Sequence, residues 1–160
     1  MPDPTGRLTT MLVTWYGLYQ ATHVLVNVRG LSVLLSGGVL NFPVPPPPEG
    51  WSADTVHLMV AIGFADLAGA VLALVFVYGY FRRSPWGMWL GTVALTISIY
   101  AELLYLYWTL ARGALTSGSV GAYLFINISF IPIAALFTLF VIWGISGRLQ
   151  PAEARRSTTL

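Results

Sequence analysis

The run His57–Phe81, HLMVAIGFADLAGAVLALVFVYGYF, contains a single acid, Asp66. Its 25 residues exceed the roughly 20 apolar residues a helix needs to cross a bilayer core. A carboxylate near the middle of such a helix costs about 3 kcal/mol on insertion scales. The fold must therefore shield Asp66, pair it or use it. Residues three, four and seven positions from it include Ile62, Gly63, Gly69, Ala70 and Ala73, and a ladder of small residues, Ala65, Gly69 and Ala73, runs beside it. Small residues at that spacing let helix backbones approach closely inside a membrane. This places Asp66 on a packing face, turned toward other helices and away from lipid.

Composition agrees with a membrane setting. Of the 160 residues, 56% are hydrophobic and 9% charged, against about 25% charged in soluble domains. The expected class is an all-α integral membrane protein in a single domain. All eight basic residues are arginine and the net charge is only +2, which gives no basic patch and no case for nucleic acid. The absence of cysteine excludes disulfides, thiolate metal sites and a cysteine nucleophile.

The pattern predicts four spans, 8–28, 57–81, 86–110 and 122–145, joined by a long outer loop 36–54 and short connections, and followed by a polar, disordered tail 146–160. The first span is too long and too aromatic for a signal peptide; Arg29 and Gly30 mark its exit, although Leu31–Leu35 are able to extend the helix. In the loop, Pro45–Pro48 favour a stiff polyproline II segment, either as a rigid spacer or as a lid with Phe42 and Trp51 as plugs. Asp54 or Thr55 is the expected cap of the second helix. Pro132 removes a backbone donor within the fourth span and should kink it.

With the N-terminus inside, Arg7, Arg82, Arg83, Arg148, Arg155 and Arg156 are cytoplasmic and only Arg29 and Arg112 lie outside. That bias follows the positive-inside rule and predicts both termini in the cytoplasm, in a membrane of the prokaryotic inner type. Aromatic residues flank both predicted boundaries.

Each span also carries polar groups on one stripe. Tyr16, Tyr19, Gln20, His23 and Asn27 share a face of the first, and Ser98, Glu102, Tyr105 and Thr109 a face of the third. At 1.5 Å rise per residue, His23, Glu102 and Asn127 fall about 8–14 Å below the outer boundary, with Asp66 slightly deeper. Convergence of one polar group from each helix is the main functional signal. Each member also has a structural reading: a protonated Asp66 bonded to a neighbouring helix, a Glu102 snorkelling to water, a packed His23, and Asn127 as interhelical glue. His57 is expected at the water boundary. The two histidines differ in depth by about 10 Å, which disfavours a bis-histidine haem, and no paired ligand motif supports a metal. No cofactor is expected, and no nucleotide loop or hydrolase motif is present.

The segment Gly17-Leu18-Tyr19-Gln20-Ala21-Thr22-His23-Val24, the Pro-rich loop, Asp66 and Phe130-Ile131-Pro132-Ile133 resemble the EXPERA family, which includes the emopamil-binding sterol isomerases and the sigma-2 receptor. The resemblance implies a four-helix bundle, frequently a homodimer, with an intramembrane pocket for a flat, lipophilic, often cationic molecule. Asp66 would correspond to the second-helix acid facing such a ligand. The isomerases' His-x-x-x-Glu pattern is absent, because Ile62 stands four residues before Asp66, and Asn27-Val28-Arg29 replaces the first-helix acid of the sigma-2 receptor. Ligand binding, or a modified activity, fits this departure better than sterol isomerisation.

The leading expectation is a protein that binds a lipophilic, sterol-like, isoprenoid or cationic small molecule. Asp66, Glu102 and His23 are the candidate acid–base residues, and Tyr19, Asn27, Tyr105 and Asn127 complete the binding set. Two alternatives are an accessory subunit of a larger membrane complex and an oligomeric proton- or cation-coupled transporter.

Overall fold

The structure, a computed structural model, describes residues 6–40, 45–113, 115 and 120–146. It forms four helices, α1 (Arg7–Leu35), α2 (Ala53–Phe81), α3 (Pro85–Ala111) and α4 (Val120–Ile145), with no strand among the described residues. Phe42 and nearly all of the polar tail lie outside them. The helices α2, α3 and α4 are long and apolar enough to cross a membrane, the mark of an integral membrane protein. At 29 residues α1 has the length. Its threonines, Gln20, His23, Asn27 and Arg29 keep it out of the apolar set.

Each helix packs against its neighbours in sequence, and α4 closes the ring on α1, while the diagonals α1/α3 and α2/α4 bring no backbones together. Contacts of Thr10 with Tyr80 and Gly63 with Leu31 set α1 antiparallel to α2, the tight turn sets α2 against α3, and Gly91 with Phe140 and Tyr105 with Tyr123 set α3 against α4. One end of the bundle therefore holds the tight α2–α3 turn, and the other holds the Pro-rich loop and the α3–α4 connection. Side chains fill the middle of the turn end: Val13, Tyr16, Phe76, Leu95, Ile133, Leu136, Phe140 and Trp143 are all fully or almost fully buried. Phe76 and Phe140 meet edge to face at 5.5 Å, and Phe140 and Trp143 pack at a tilt with ring centres 5.2 Å apart.

Hydrophobicity alone does not sort inside from outside here, because Leu18, Leu25, Phe125 and Ile131 are as apolar as the core and stand exposed. Between helices in lipid the attraction comes from close packing instead. Glycine supplies it along the α2–α3 seam. A Cβ on Gly87 would stand 2.7 Å from the backbone carbon of Gly79, and one on Gly91 would stand 2.5 Å from the Phe140 ring and 2.6 Å from that of Phe76.

Helix ends account for the differences from the expected bounds. Ser52, in extended backbone, accepts from the Thr55 amide at 3.3 Å, so α2 begins at Ala53 and the cap is Ser52, not Asp54 or Thr55. The first helix runs past Arg29 and Gly30 to Leu35. It stops where Gly37 turns left-handed at φ 77°, with the Gly37 and Gly38 amides donating to Leu34 and Val33. The end of α2 repeats this motif with Arg83 (φ 54°) in the left-handed position, its amide and that of Ser84 donating to Tyr80 and Gly79. Such a position favours glycine.

Helix α4 continues through Pro132. The proline leaves the Ile128 carbonyl without its usual donor. On the carbonyl beside it, Ser129, the Trp15 indole N–H of α1 donates at 2.9 Å. A neighbouring helix thus supplies a donor next to the gap, one way membrane helices tolerate proline.

The seam can be tested directly. Gly87→Ala forces backbone against backbone, where no side chain can swing away, and should lower stability by about 1–3 kcal/mol. Gly121→Ala, with nothing within 4 Å of its new methyl group, should leave it unchanged or slightly raised through helix propensity. Thermal melts followed by circular dichroism in detergent read the difference. Equal melting points for the two variants would mean that α2 and α3 do not meet at this seam.

Candidate functional site

The helical period puts Tyr16, Gln20, His23 and Asn27 on one face of α1, and the bundle divides that stripe between two partners. The Tyr16 hydroxyl and the Ser98 hydroxyl share a 2.7 Å hydrogen bond, and the Gln20 amide donates to Ser98 at 3.2 Å. These bonds cross the α1/α3 diagonal between buried groups. One turn nearer the loop end, His23 Nε2 lies 2.6 Å from Asp66 Oδ2, and the Asn27 amide donates to the same oxygen at 3.3 Å. Asp66 therefore ties α2 to α1.

Pairing meets the cost of placing the acid among apolar helices. A short contact between imidazole and carboxylate is a charge-assisted hydrogen bond, the stronger kind. The pair is not sealed: 33% of the His23 side chain and 28% of that of Asp66 remain exposed. Among the described residues Asp66 Oδ1 and His23 Nδ1 have no hydrogen-bond partner. The small residues next to Asp66 are only partly turned inward. Ala70 and Ala73 are buried, and Gly63 and Gly69 half-buried against Leu31 and Ile97, whereas Ile62 and Ala65 are exposed.

The α3 and α4 side of the cluster has a different character. Glu102 is half-buried and makes no hydrogen bond or ion pair among the described residues, although it lies within electrostatic reach of His23, Asp66, Tyr19 and Tyr105. Tyr105 stacks on Tyr123 with ring centres 6.2 Å apart, and both hydroxyls are buried without a hydrogen-bond partner. Tyr19 has its ring 5.9 Å from that of His23 and 6.0 Å from that of Phe130. Asn127 donates to the Tyr123 carbonyl of its own helix at 2.7 Å, so its amide N–H caps a local carbonyl and does not bridge helices. His57 is exposed at the start of α2.

The structure thus bonds His23, Asn27 and Asp66 directly and sets Tyr19, Glu102 and Tyr105 around them, with Asn127 turned to its own backbone. Sequence reasoning did not select Tyr16, Gln20 and Ser98 as a second network, although all three lay on the polar stripes. It missed Tyr123 because a tyrosine near a span end reads as a boundary aromatic. Among the described residues no three His, Cys, Asp or Glu side chains gather as a metal ion would need. Chemically the cluster offers a bonded, partly exposed acid–imidazole pair beside an unbonded, half-buried carboxylate and two buried phenols without partners.

If the pair is a coupled unit, His23→Ala and Asp66→Asn should each destabilise the protein, and the double variant should cost less than the sum. The coupling energy expected for contacting groups is about 1–2 kcal/mol, read from a double-mutant cycle of melting curves in detergent. Additive losses would mean that the two side chains do not interact. No protein-family model, curated protein or solved structure matches the chain.

Proposed function

We propose that the chain is a four-span membrane protein that binds a lipophilic, cationic small molecule in the loop-end half of the bundle. The observation that carries this reading is the set of unsatisfied groups on α3 and α4: the Glu102 carboxyl without a bond, and the buried Tyr105 and Tyr123 hydroxyls without partners. Buried polar groups are nearly always hydrogen-bonded, and leaving one unpaired costs about 1–3 kcal/mol. A ligand carrying an ammonium group on an apolar body supplies what they lack: a cation for Glu102 and N–H donors for the tyrosine hydroxyl oxygens, with the rings as an apolar and cation-binding surface. Asp66, held by His23 and Asn27, forms the opposite wall, and Tyr19 and Asn127 flank it.

The EXPERA resemblance supports the same class of ligand. Acid–base conversion of the bound molecule extends the reading. With Nε2 engaged by Asp66, His23 presents Nδ1 for proton transfer, and Glu102 is the second acid–base group. The proposed topology takes α1 as the fourth span, its polar stripe turned to Ser98 and Asp66, with Arg7, Arg82 and Arg83 on the cytoplasmic side of a prokaryotic inner membrane.

Thermal-shift measurements on the detergent-purified protein against sterols, carotenoids, quinones and cationic amphiphiles test the binding. A cationic amphiphile should raise the melting point by several degrees, and Glu102→Gln should fold but lose that shift. No shift with any compound would make the polar groups interhelical glue and the chain an accessory subunit of a larger complex.

The absence of native cysteine makes the topology equally testable. A membrane-impermeant maleimide added to intact cells should label Ser36→Cys, and should label Arg82→Cys only after the cells are opened. Labelling of both from outside would overturn the four-span arrangement.

A further inference from the structure

At the loop end a hollow of about 290 Å³ lies outside the Asp66 cluster. Glu49, Trp51, Ser52, Thr55 and Arg112 are among the residues that line it. Arg112 directly follows α3, and Trp51 stands just before the cap of α2. Both helices are membrane-spanning by length and composition, so the hollow sits where hydrocarbon would give way to water. Tryptophan concentrates at that level.

The chain holds the two charges of this hollow apart. The Arg112 guanidinium lies over Trp51 and Trp108, 5.5 Å from each ring centre, and the rings are 6.1 Å from one another. Trp51 is anchored in turn by its indole N–H, which donates to the Leu40 carbonyl at 3.0 Å. Opposite, the Gly50 amide donates to the Pro47 carbonyl at 2.8 Å, closing a turn over Pro48 and Glu49 with Gly50 at φ 83°. Proline at the second position and glycine at the fourth suit such a turn, which holds Glu49 in place. Glu49 and Arg112 line one hollow without pairing, since the salt bridge found among the described residues is His23–Asp66.

A guanidinium that rests on two neighbouring indoles keeps N–H groups on its open side, and those N–H groups match a phosphate bidentately. Glu49 on the same rim would repel a simple anion but would hold an ammonium group. The geometry points to a zwitterionic phospholipid head group as the occupant, its phosphate on Arg112 and its ammonium on Glu49. Phosphatidylethanolamine, whose phosphate and ammonium are separated by two carbons, is the probe of choice. This site stands independently of the ligand proposed for the Asp66 cluster.

Lipid titrations of the full chain in detergent, followed by native mass spectrometry, test the assignment with phosphatidylethanolamine, phosphatidylglycerol and inorganic phosphate. The wild type should bind phosphatidylethanolamine about tenfold more tightly than phosphatidylglycerol, the size of one charge-assisted hydrogen bond. Glu49→Gln, at an exposed turn position, should abolish that preference without weakening phosphatidylglycerol. Arg112→Gln should weaken both lipids, and millimolar phosphate should displace neither. Equal wild-type affinities, or a preference that survives Glu49→Gln, would overturn the proposal. Displacement by phosphate would overturn it in favour of a soluble anion.

Discussion

The contact between His23 and Asp66, 2.6 Å long, fixes how α1 sits against α2, and much of the loop end follows from it. An unpaired carboxylate at mid-span costs about 3 kcal/mol, comparable to the loss from a bad cavity in a core. An imidazole from the next helix removes that cost only if α1 is turned to face α2. The same rotation brings Asn27 to the same oxygen and sends Tyr16 and Gln20 across the diagonal to Ser98. The helix with the weakest apolar character is therefore the one whose polar groups are most fully engaged. Read alone, α1 looks poorly suited to lipid; in the bundle its polar stripe is turned inward.

The two ends of the bundle rest on different physics. At the turn end glycine seams and interlocked aromatic rings set backbone distances to within a methyl group. Such packing has little tolerance for change, because dense interiors transmit strain. At the loop end the contacts are hydrogen bonds, half-buried ionisable side chains and stacked tyrosines, with several polar atoms unmatched. A rigid apolar base beneath a less satisfied polar half suits a site, since the base fixes helix positions while the polar half remains able to accept a guest.

Much of this was legible in the sequence because lipid punishes polar residues and so makes each one informative. Asp66 inside an apolar run, the α1 stripe and the α3 stripe marked the residues the structure brings together. Spacing could not say which oxygen or amide each group would choose. Gln20 and His23 lie on one stripe yet bond to different helices, and Asn127 chose its own backbone. The outward turn of Ile62 and Ala65 has a similar cause. A helix in a ring touches two neighbours, and the angle between them depends on all four helices. The Ser52 cap escaped notice because Asp54 and Thr55 beside it looked like equally good starts. The tie from Trp15 to the carbonyl beside the Pro132 gap was hidden for another reason: more than a hundred residues separate its partners.

The two intramembrane acids stand in one polar cluster and differ in how they are met. Asp66 has an imidazole and an amide on one oxygen, whereas Glu102 has neither, and the nearby Tyr105 and Tyr123 hydroxyls are also without partners. The apolar surroundings penalise both acids for the same reason, so the difference reflects what the fold supplies and what it leaves open. A sequence whose only aim was stability could replace Glu102 with leucine and the two tyrosines with phenylalanine, and lose nothing visible among the described contacts. Local rules broken without compensation are expected at functional positions. In the proposed binding reading, the α3–α4 wall is where a ligand would engage first, with the His23–Asp66 pair as the fixed wall opposite.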